Sequence, residues 1–544
     1  MRPFELETLM NDDGTSSAGQ RTKCRFPRPG AAAGWAWALS FAGLLALGST
    51  GGCEEGPDPG AATPHTLPAD LGEDGKYDNY VSSNAREFEL LGAAHVNLPF
   101  DFDARTPEEQ NATLDSLVSS RLSSVSRAVQ AKVNAVVSEA SNGVTGEDAP
   151  YFTYFRRQPA SVETVRLLGD GRAQFDFELE LVGSWYLMSV VAPETGSATR
   201  MFTVDVSDYG GTNAETIPVE IRGSSSRDAF PRYDALFADG VFDIAVHFGG
   251  DYNTDRFDLS TARWLVETLL EGGWENASVS SFETLTIDSP PFTRKVLVEG
   301  REIEVGVHIF HSDMVEATEE ARLSDAMKTS LAERDVVIYS GHAGEGAGFI
   351  LDYQPRHEIS ASQFATLELA SKYQIYVLDG CRTYRTYVDD LMKNPGKTFE
   401  NLDIVTTVNT TPFSVGYQVL WEFLYWFTLT DDAGNHYPLT WMTLLRGVNT
   451  EQFSGVHYGV HGVDDNPQLN PHASEGVACT PCKDDTDCRA GGNLCLAYSG
   501  GAACGVACTT DAACPEGYRC ARIGDPDALF YIPKQCVRRD YICP

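Results

Sequence analysis

Cysteine is missing from most of this chain, positive charge is scarce throughout, and long apolar runs are almost absent. Against 77 Asp and Glu stand only 41 Lys and Arg, for a formal net charge of −36. That deficit excludes nucleic acid and anionic membrane surfaces as partners and favours basic over acidic substrates, although a high-salt habitat selects the same acidity. The apolar run near the N-terminus, 31–48 (AAAGWAWALSFAGLLALG), is short. It follows Arg21, Lys23, Arg25 and Arg28, and small residues and Cys53 come after it. Such a run reads as an export signal sooner than as a membrane span. At 544 residues with 42% hydrophobic and 10% aromatic content, the chain is globular and too long for one core. About 150 residues per domain predicts three or so units.

The thirteen cysteines are distributed unevenly. Cys24 lies ahead of the apolar run and Cys53 just behind it. Ten more crowd the C-terminus: Cys479, Cys482, Cys488, Cys495, Cys504, Cys508, Cys514, Cys520, Cys536 and Cys543. An even, dense set in an exported chain predicts a disulfide framework. The Cys479-x-x-Cys482 pair has zinc-like spacing, but the remaining spacings complete no four-ligand set. One cysteine is left over, Cys381. A leftover thiol in an exported protein is a buried structural group, an intermolecular link or a nucleophile. The stretch STGGC (49–53) resembles a bacterial lipoprotein cleavage box, with Thr50 where an apolar residue usually stands. That resemblance implies lipidation of Cys53 and a membrane contact through the lipid alone. Ordinary signal cleavage or an uncleaved anchor are the other readings, and all three place the mature chain outside the cytoplasm.

Composition and periodicity divide the chain into a signal segment (1–53), a Pro-, Gly- and acid-rich flexible linker (54–84), an α+β module (85–234), an α/β domain (235–470) and a Cys-rich tail (471–544). The module predicts one amphipathic helix over 114–137 and alternating strands in AQFDFELELV, RMFTVDVS and TIPVEIRG. It lacks any cluster of His, Cys or carboxylates suited to chemistry, so a pro-region and an adhesion module both fit. In the next domain, continuous apolar strands (FDIAVHF, DVVIYS, QIYVLD, LDIVTT) alternate with helical patterns, including VEATEEARLSDAMKTSLAE and SASQFATLELASK. That rhythm predicts a mostly parallel sheet covered by helices on both faces. Ligands gather at the carboxyl ends of such strands, where His342 and Cys381 both fall. The tail contains a weak repeat, CTPCKDDTDC…LC echoed by CGVACTTDAAC…RC.

The two stretches DVVIYSGHAGEGAGFILDY and QIYVLDGCRTY resemble the two signatures of the caspase-like cysteine peptidases, a superfamily of caspases, metacaspases, legumains and gingipains. There a hydrophobic strand ends in His-Gly, and the next ends in a small residue followed by Cys. The similarity covers about 235–470, and at motif level only these two stretches. It implies a caspase-like fold and hydrolysis of polypeptide substrates by a Cys381–His342 dyad, with the backbone amides of Cys381 and Ala343 as the oxyanion site. It requires no cofactor, although some relatives use calcium as a regulator. Physical logic agrees: a thiolate needs a proton partner, and imidazole titrates nearest neutrality. Asp379, two residues before the cysteine, stands where metacaspases and clostripain-like members place a substrate-binding acid. The implication is cleavage after Arg or Lys; the plainer role for Asp379 is capping of the following helix. This sequence departs from the pattern twice, with Ala343 for the usual Gly and Gly380 for the usual Ala or Ser. An inactive homologue serving as a surface-displayed binding module is therefore the rival reading.

Other features fit structural roles. GEGAG (344–348) precedes a strand-like FILDY where a phosphate loop needs a helix. His457 and His461 lack the Glu of a zinc-peptidase motif and read as a surface strand or loop. His247 and His308 sit in apolar strands as core histidines. The aromatic run 417–429 reads as a packed helix that could also wall the substrate pocket. Glu345 and Asp243 are the acids considered for orienting the histidine.

Overall fold

The computed structural model describes residues 76–543 except 77, 144–150, 157–160, 194–199, 209–210, 225, 345–346, 354, 450–454, 473–475 and 524–533. The signal segment, Cys24, Cys53, most of the linker and Glu345 lie outside the described residues. Strict alternation builds the first sheet. After a short strand β1 (Tyr80–Val81) come β2 (Arg86–Asn97), helix α1 (Pro107–Ala140), β3 (Thr153–Phe155), β4 (Ser161–Leu167), β5 (Arg172–Gly183), β6 (Arg200–Val206) and β7 (Glu215–Gly223). The strands pair antiparallel in the order β3-β5-β2-β7-β6, with β4 also on β5. Along β5 alternate residues Ala173, Phe175, Phe177, Leu179 and Leu181 are buried, as a two-residue period requires. A capping box between Thr106 and Glu109, with Pro107 in the first turn, starts α1 earlier than its apolar pattern predicts. The helix lays Val125, Val129 and Val133 on the sheet.

The second sheet forms from runs that are apolar on both faces. Its strands are β8 (Val241–Phe248), β9 (Phe292–Val298), β10 (Arg301–Phe310), β11 (Val336–Ser340), β14 (Gln374–Asp379), β15 (Leu402–Thr407) and β16 (Tyr458–His461), and a side hairpin is made by β12 (Phe349–Tyr353) and β13 (Arg356–Ile359). The order is β1-β16-β15-β14-β11-β8-β10-β9. The five strands from β15 to β10 run parallel, and the strands at the two edges antiparallel. Every residue of β11 and β14 is buried, which is why neither alternates. Helices α2 (Phe257–Glu271), α3 (Ala321–Glu333), α4 (Thr383–Met392), α5 (Phe413–Phe427) and α6 (Trp441–Val448) cover the two faces. From β8 the chain passes to β10 on one side and then to β11 on the other. That reversal opens a crevice at the carboxyl ends, where chemistry collects in this architecture.

Three expectations are corrected. Lys76 and residues 78–82 are no part of a flexible linker, because β1 pairs with β16, Asn79, Tyr80, Val81 and Ser82 are buried, and the Lys76 ammonium pairs with buried Asp403. SASQFATLELASK is not a full helix. A short 3-10 helix (Ala361–Thr366) ends at Leu367, whose backbone is extended, and Leu367 and Leu369 pack on the core. His457, just ahead of β16, and His461, within it, are buried, not superficial: Phe152 of the N-terminal module stacks on His457 at 3.9 Å, and Asp78 accepts from His461 Nδ1 at 2.9 Å.

The N-terminal module docks on the helix that follows Cys381. Arg156, buried, pairs with Asp78, Glu180 and Asp389 of α4 at 2.6–2.7 Å, and Tyr384 of α4 donates to buried Glu87 at 3.0 Å. Removing the guanidinium would leave three partly desolvated carboxylates facing one another. Arg156→Ala should cost about 3–5 kcal/mol, read as a fall in thermal midpoint by calorimetry; an unchanged midpoint would show that the cluster is already hydrated.

The tail is held by five disulfides. Each copy of the repeat pairs its second cysteine with its fourth, Cys482–Cys495 and Cys508–Cys520, and its third with the next cysteine beyond the copy, Cys488–Cys504 and Cys514–Cys536. Cys479–Cys543 ties the two ends. The zinc-like pair Cys479 and Cys482 is thus split between two bridges. A framework of this density is typical of exported proteins.

Candidate active site

The sharp turn from β14 into α4 presents Cys381. Arg382, the next residue, takes a left-handed conformation (φ 57°, ψ 39°), an uncommon geometry for a non-glycine residue. It leaves Cys381 half-buried just ahead of the helix N-terminus. Cys381 is the free cysteine among the described residues, and its Sγ lies 3.7 Å from the Thr411 carbonyl oxygen. On the neighbouring strand, β11 delivers His342. The Tyr339 hydroxyl donates to the His342 carbonyl at 2.7 Å and accepts the Ile350 N–H at 3.0 Å, which fixes the loop.

His342 and Cys381 line one cavity of about 240 Å³, together with Ser340, Asp379, Asp258, Phe413 and Gly416 among others. Among the described residues, none of the N-terminal module lines it. The acid facing His342 comes from the end of β8: Asp251 Oδ1 is 3.3 Å from Nε2. This leaves Nδ1 as the ring nitrogen free for the thiol. Burial pushes Asp251 up, but the hydrogen bonds it accepts from the Asn253 and Phe257 backbones, His342 and the Asn253 amide outweigh burial and hold it below the ordinary carboxylate range. The imidazole is also boxed by rings. Tyr252 stacks on it at 4.5 Å and 13°, and Tyr353 and Phe413 meet it edge-on at 5.2 and 4.8 Å.

Of the two acids considered beside the histidine, Asp243 is engaged elsewhere. It pairs with Arg334 at 2.8 Å and approaches His308 at 3.8 Å, near the start of β8. Asp251 went unnoticed in GGDYN, although the strand-end rule that singled out His342 applies equally to the end of FDIAVHF. Asp379 does not cap α4. Its carboxylate accepts from Ser340 Oγ and from the Tyr458 hydroxyl, each at 2.8 Å, and the side chain is 2% exposed. Burial pushes its pKa up to about 6, with the two hydrogen bonds opposing. The second acid on the cavity, Asp258, is matched by Arg256 at 2.9 Å and Ser312 at 3.2 Å. Asp379 has only neutral donors, so it is the cavity's uncompensated negative charge. Gly416 leaves the way to it open: a Cβ there would stand 3.5 Å from Ser340 Oγ and 3.7 Å from Asp379 Oδ2.

Ala343 and Gly380 prove to be in contact. A Cβ on Gly380 would come within 2.7 Å of the Ala343 methyl and 2.8 Å of the Gly341 carbonyl oxygen. The Ala343 amide nitrogen is 3.6 Å from the same point. The larger residue at 343 and the smaller one at 380 thus meet across a single contact. Gly380→Ala should displace the Cys381 thiol and, for catalysis by a Cys381–His342 dyad, lower kcat/KM by about 10²-fold, an effect that ångström-scale displacement produces. Adding Ala343→Gly should recover part of that loss, because neighbouring substitutions are coupled. Additive losses in the double variant would separate the two positions.

Comparison with models of known protein families, with curated proteins and with solved structures returns no match to this chain.

Proposed function

We propose that this chain is an exported cysteine endopeptidase of the caspase-like type that cleaves after Arg or Lys. The observation that carries this reading is the shared cavity: a free thiol, an imidazole backed by an ionised acid and an uncompensated carboxylate line the same walls. The strands ending in His342 and Cys381 are adjacent and parallel, as the resemblance implies. In the reaction His342 takes the Cys381 proton, and the thiolate adds to the carbonyl carbon of the scissile bond. The amides of Cys381 and Ala343 receive the oxyanion. Collapse expels the amine with the proton from His342 and leaves a thioester, which water hydrolyses with the imidazole again as base. Asp251 keeps the ring oriented and stabilises its charged form. Asp379 pairs with the cation of the residue before the cleaved bond.

The inactive-scaffold alternative draws on Ala343; that its methyl faces Gly380, where no side chain competes for the space, supports the active reading. The disulfide-stapled tail supports export, and lipidation at Cys53 would hold the enzyme on the cell envelope. Fluorogenic peptides ending in Arg, Lys, Asn or Asp test specificity directly. Arg and Lys should lead by about two orders of magnitude or more, because Asn and Asp leave the buried Asp379 carboxylate without a cation; a preference for Asn or Asp would overturn the assignment of Asp379.

A further inference from the structure

Helix α5 carries more aromatic surface than its packing uses. Its core side buries Val419, Leu420, Phe423, Leu424 and Phe427. A separate stripe, Phe413, Tyr417, Trp421 and Tyr425, recurs every four residues and so lines a different side of the helix. These rings are only half-buried, and Tyr425 is 38% exposed. Two residues of α2 border the stripe. Phe257 stacks on Phe413 at 6.3 Å, and Trp264 packs on Tyr417 at 5.2 Å and on Trp421 at 6.1 Å. Trp421 reaches Tyr425 at 6.3 Å. The stripe begins at the reacting centre, since Phe413 lines the cavity and touches the face-boxed imidazole of His342. At 1.5 Å per residue it extends about 18 Å, the length of roughly five residues of extended chain. A solvated helix side is normally polar, whereas half-exposed Tyr and Trp are the side chains of recognition surfaces.

We infer that this stripe is an extended subsite for apolar residues flanking the cleaved bond of a polypeptide substrate. The inference rests on the peptidase reading of the cavity, and continuity with that cavity selects the occupant. A strongly acidic chain does not suit an anionic membrane. Grip on the distant part of the chain supplies binding that the small cavity alone does not.

The test uses the full chain and internally quenched peptides that share one arginine and differ in their flanks, Leu- and Phe-rich or Gly- and Ser-rich. The unaltered protein should cleave the apolar peptide with a kcat/KM at least tenfold higher, and Trp421→Ala/Tyr425→Ala should reduce that preference about tenfold. An unaltered preference, or an equal fall on both peptides, would overturn the subsite. Binding of the apolar peptide to the Cys381→Ala chain, read by fluorescence anisotropy, should weaken about tenfold when the same two rings are removed; unchanged affinity would also overturn it. Ring-dependent binding without any cleavage would count against the peptidase reading while supporting the subsite. A dimer, or adhesion to neutral phosphatidylcholine vesicles, that disappears in the double variant would assign the stripe to a different occupant and overturn the inference.

Discussion

Alanine at Cys381 should lower peptide cleavage by about 10⁴-fold or more, because the covalent route loses its nucleophile. Alanine at His342 should cost about 10²–10⁴-fold, the range of a positioned acid–base group. The double variant should be little worse than Cys381→Ala, since groups that act as a unit do not add. Initial rates at pH 7.5 with a P1-arginine substrate, and thermal melts to show that each variant is folded, measure this. Full activity in either single variant would remove the dyad. Asp251→Asn is expected to fall between: the ring stays boxed by Tyr252, Tyr353 and Phe413, but its charged form loses the anion that stabilises it.

Asp379→Asn should do two opposite things. Cleavage after arginine should fall about 10²–10³-fold relative to a neutral P1 residue, because a cation in a closed pocket loses its charged partner. The folded protein should meanwhile become more stable at neutral pH. Burial raises the Asp379 pKa to about 6 from an ordinary 3.8, so the folded state holds a proton that the unfolded state releases between those values. Stability therefore declines as pH rises from about 4 to 6 and stays lowered above, by about 3 kcal/mol at most. Asparagine removes that cost and flattens the window, less what is lost by giving Ser340 and Tyr458 a weaker acceptor. Denaturant midpoints at pH 4.5 and 7.5 separate the cases. A variant that is destabilised at both pH values and keeps its arginine preference would make Asp379 a structural acceptor only.

The parallel sheet was legible because strands buried on both faces must be continuously apolar, and β8, β11, β14 and β15 are. Strand ends then located His342 and Cys381 without further help. The disulfide tail followed from number and density, and its internal repeat acquired meaning once both copies showed the same pairing. The partners of the site were less accessible. Asp251 reaches His342 through a loop conformation that no periodicity encodes. Ser340 and Tyr458 meet Asp379 through register across β11 and β14 and through a late strand, β16, whose histidines drew attention instead. Ala343 and Gly380 looked like two defects because each was weighed alone, and only folding sets them side by side. The edge strand β1 was hidden in a polar stretch whose composition resembles a tether, yet Ser82 hydrogen-bonds to the Tyr458 carbonyl of β16 and Asn79 to the Val463 carbonyl two residues past its end.

The most direct test is mass spectrometry of the intact folded chain after exposure to an arginyl chloromethyl ketone, which alkylates a thiolate far faster when the cation is seated beside it. The account predicts rapid, single-site labelling of Cys381 that slows at least a hundredfold in His342→Ala and in Asp379→Asn. Labelling at the rate of a denatured thiol, unaffected by either substitution, or no labelling of Cys381 at all, would contradict it.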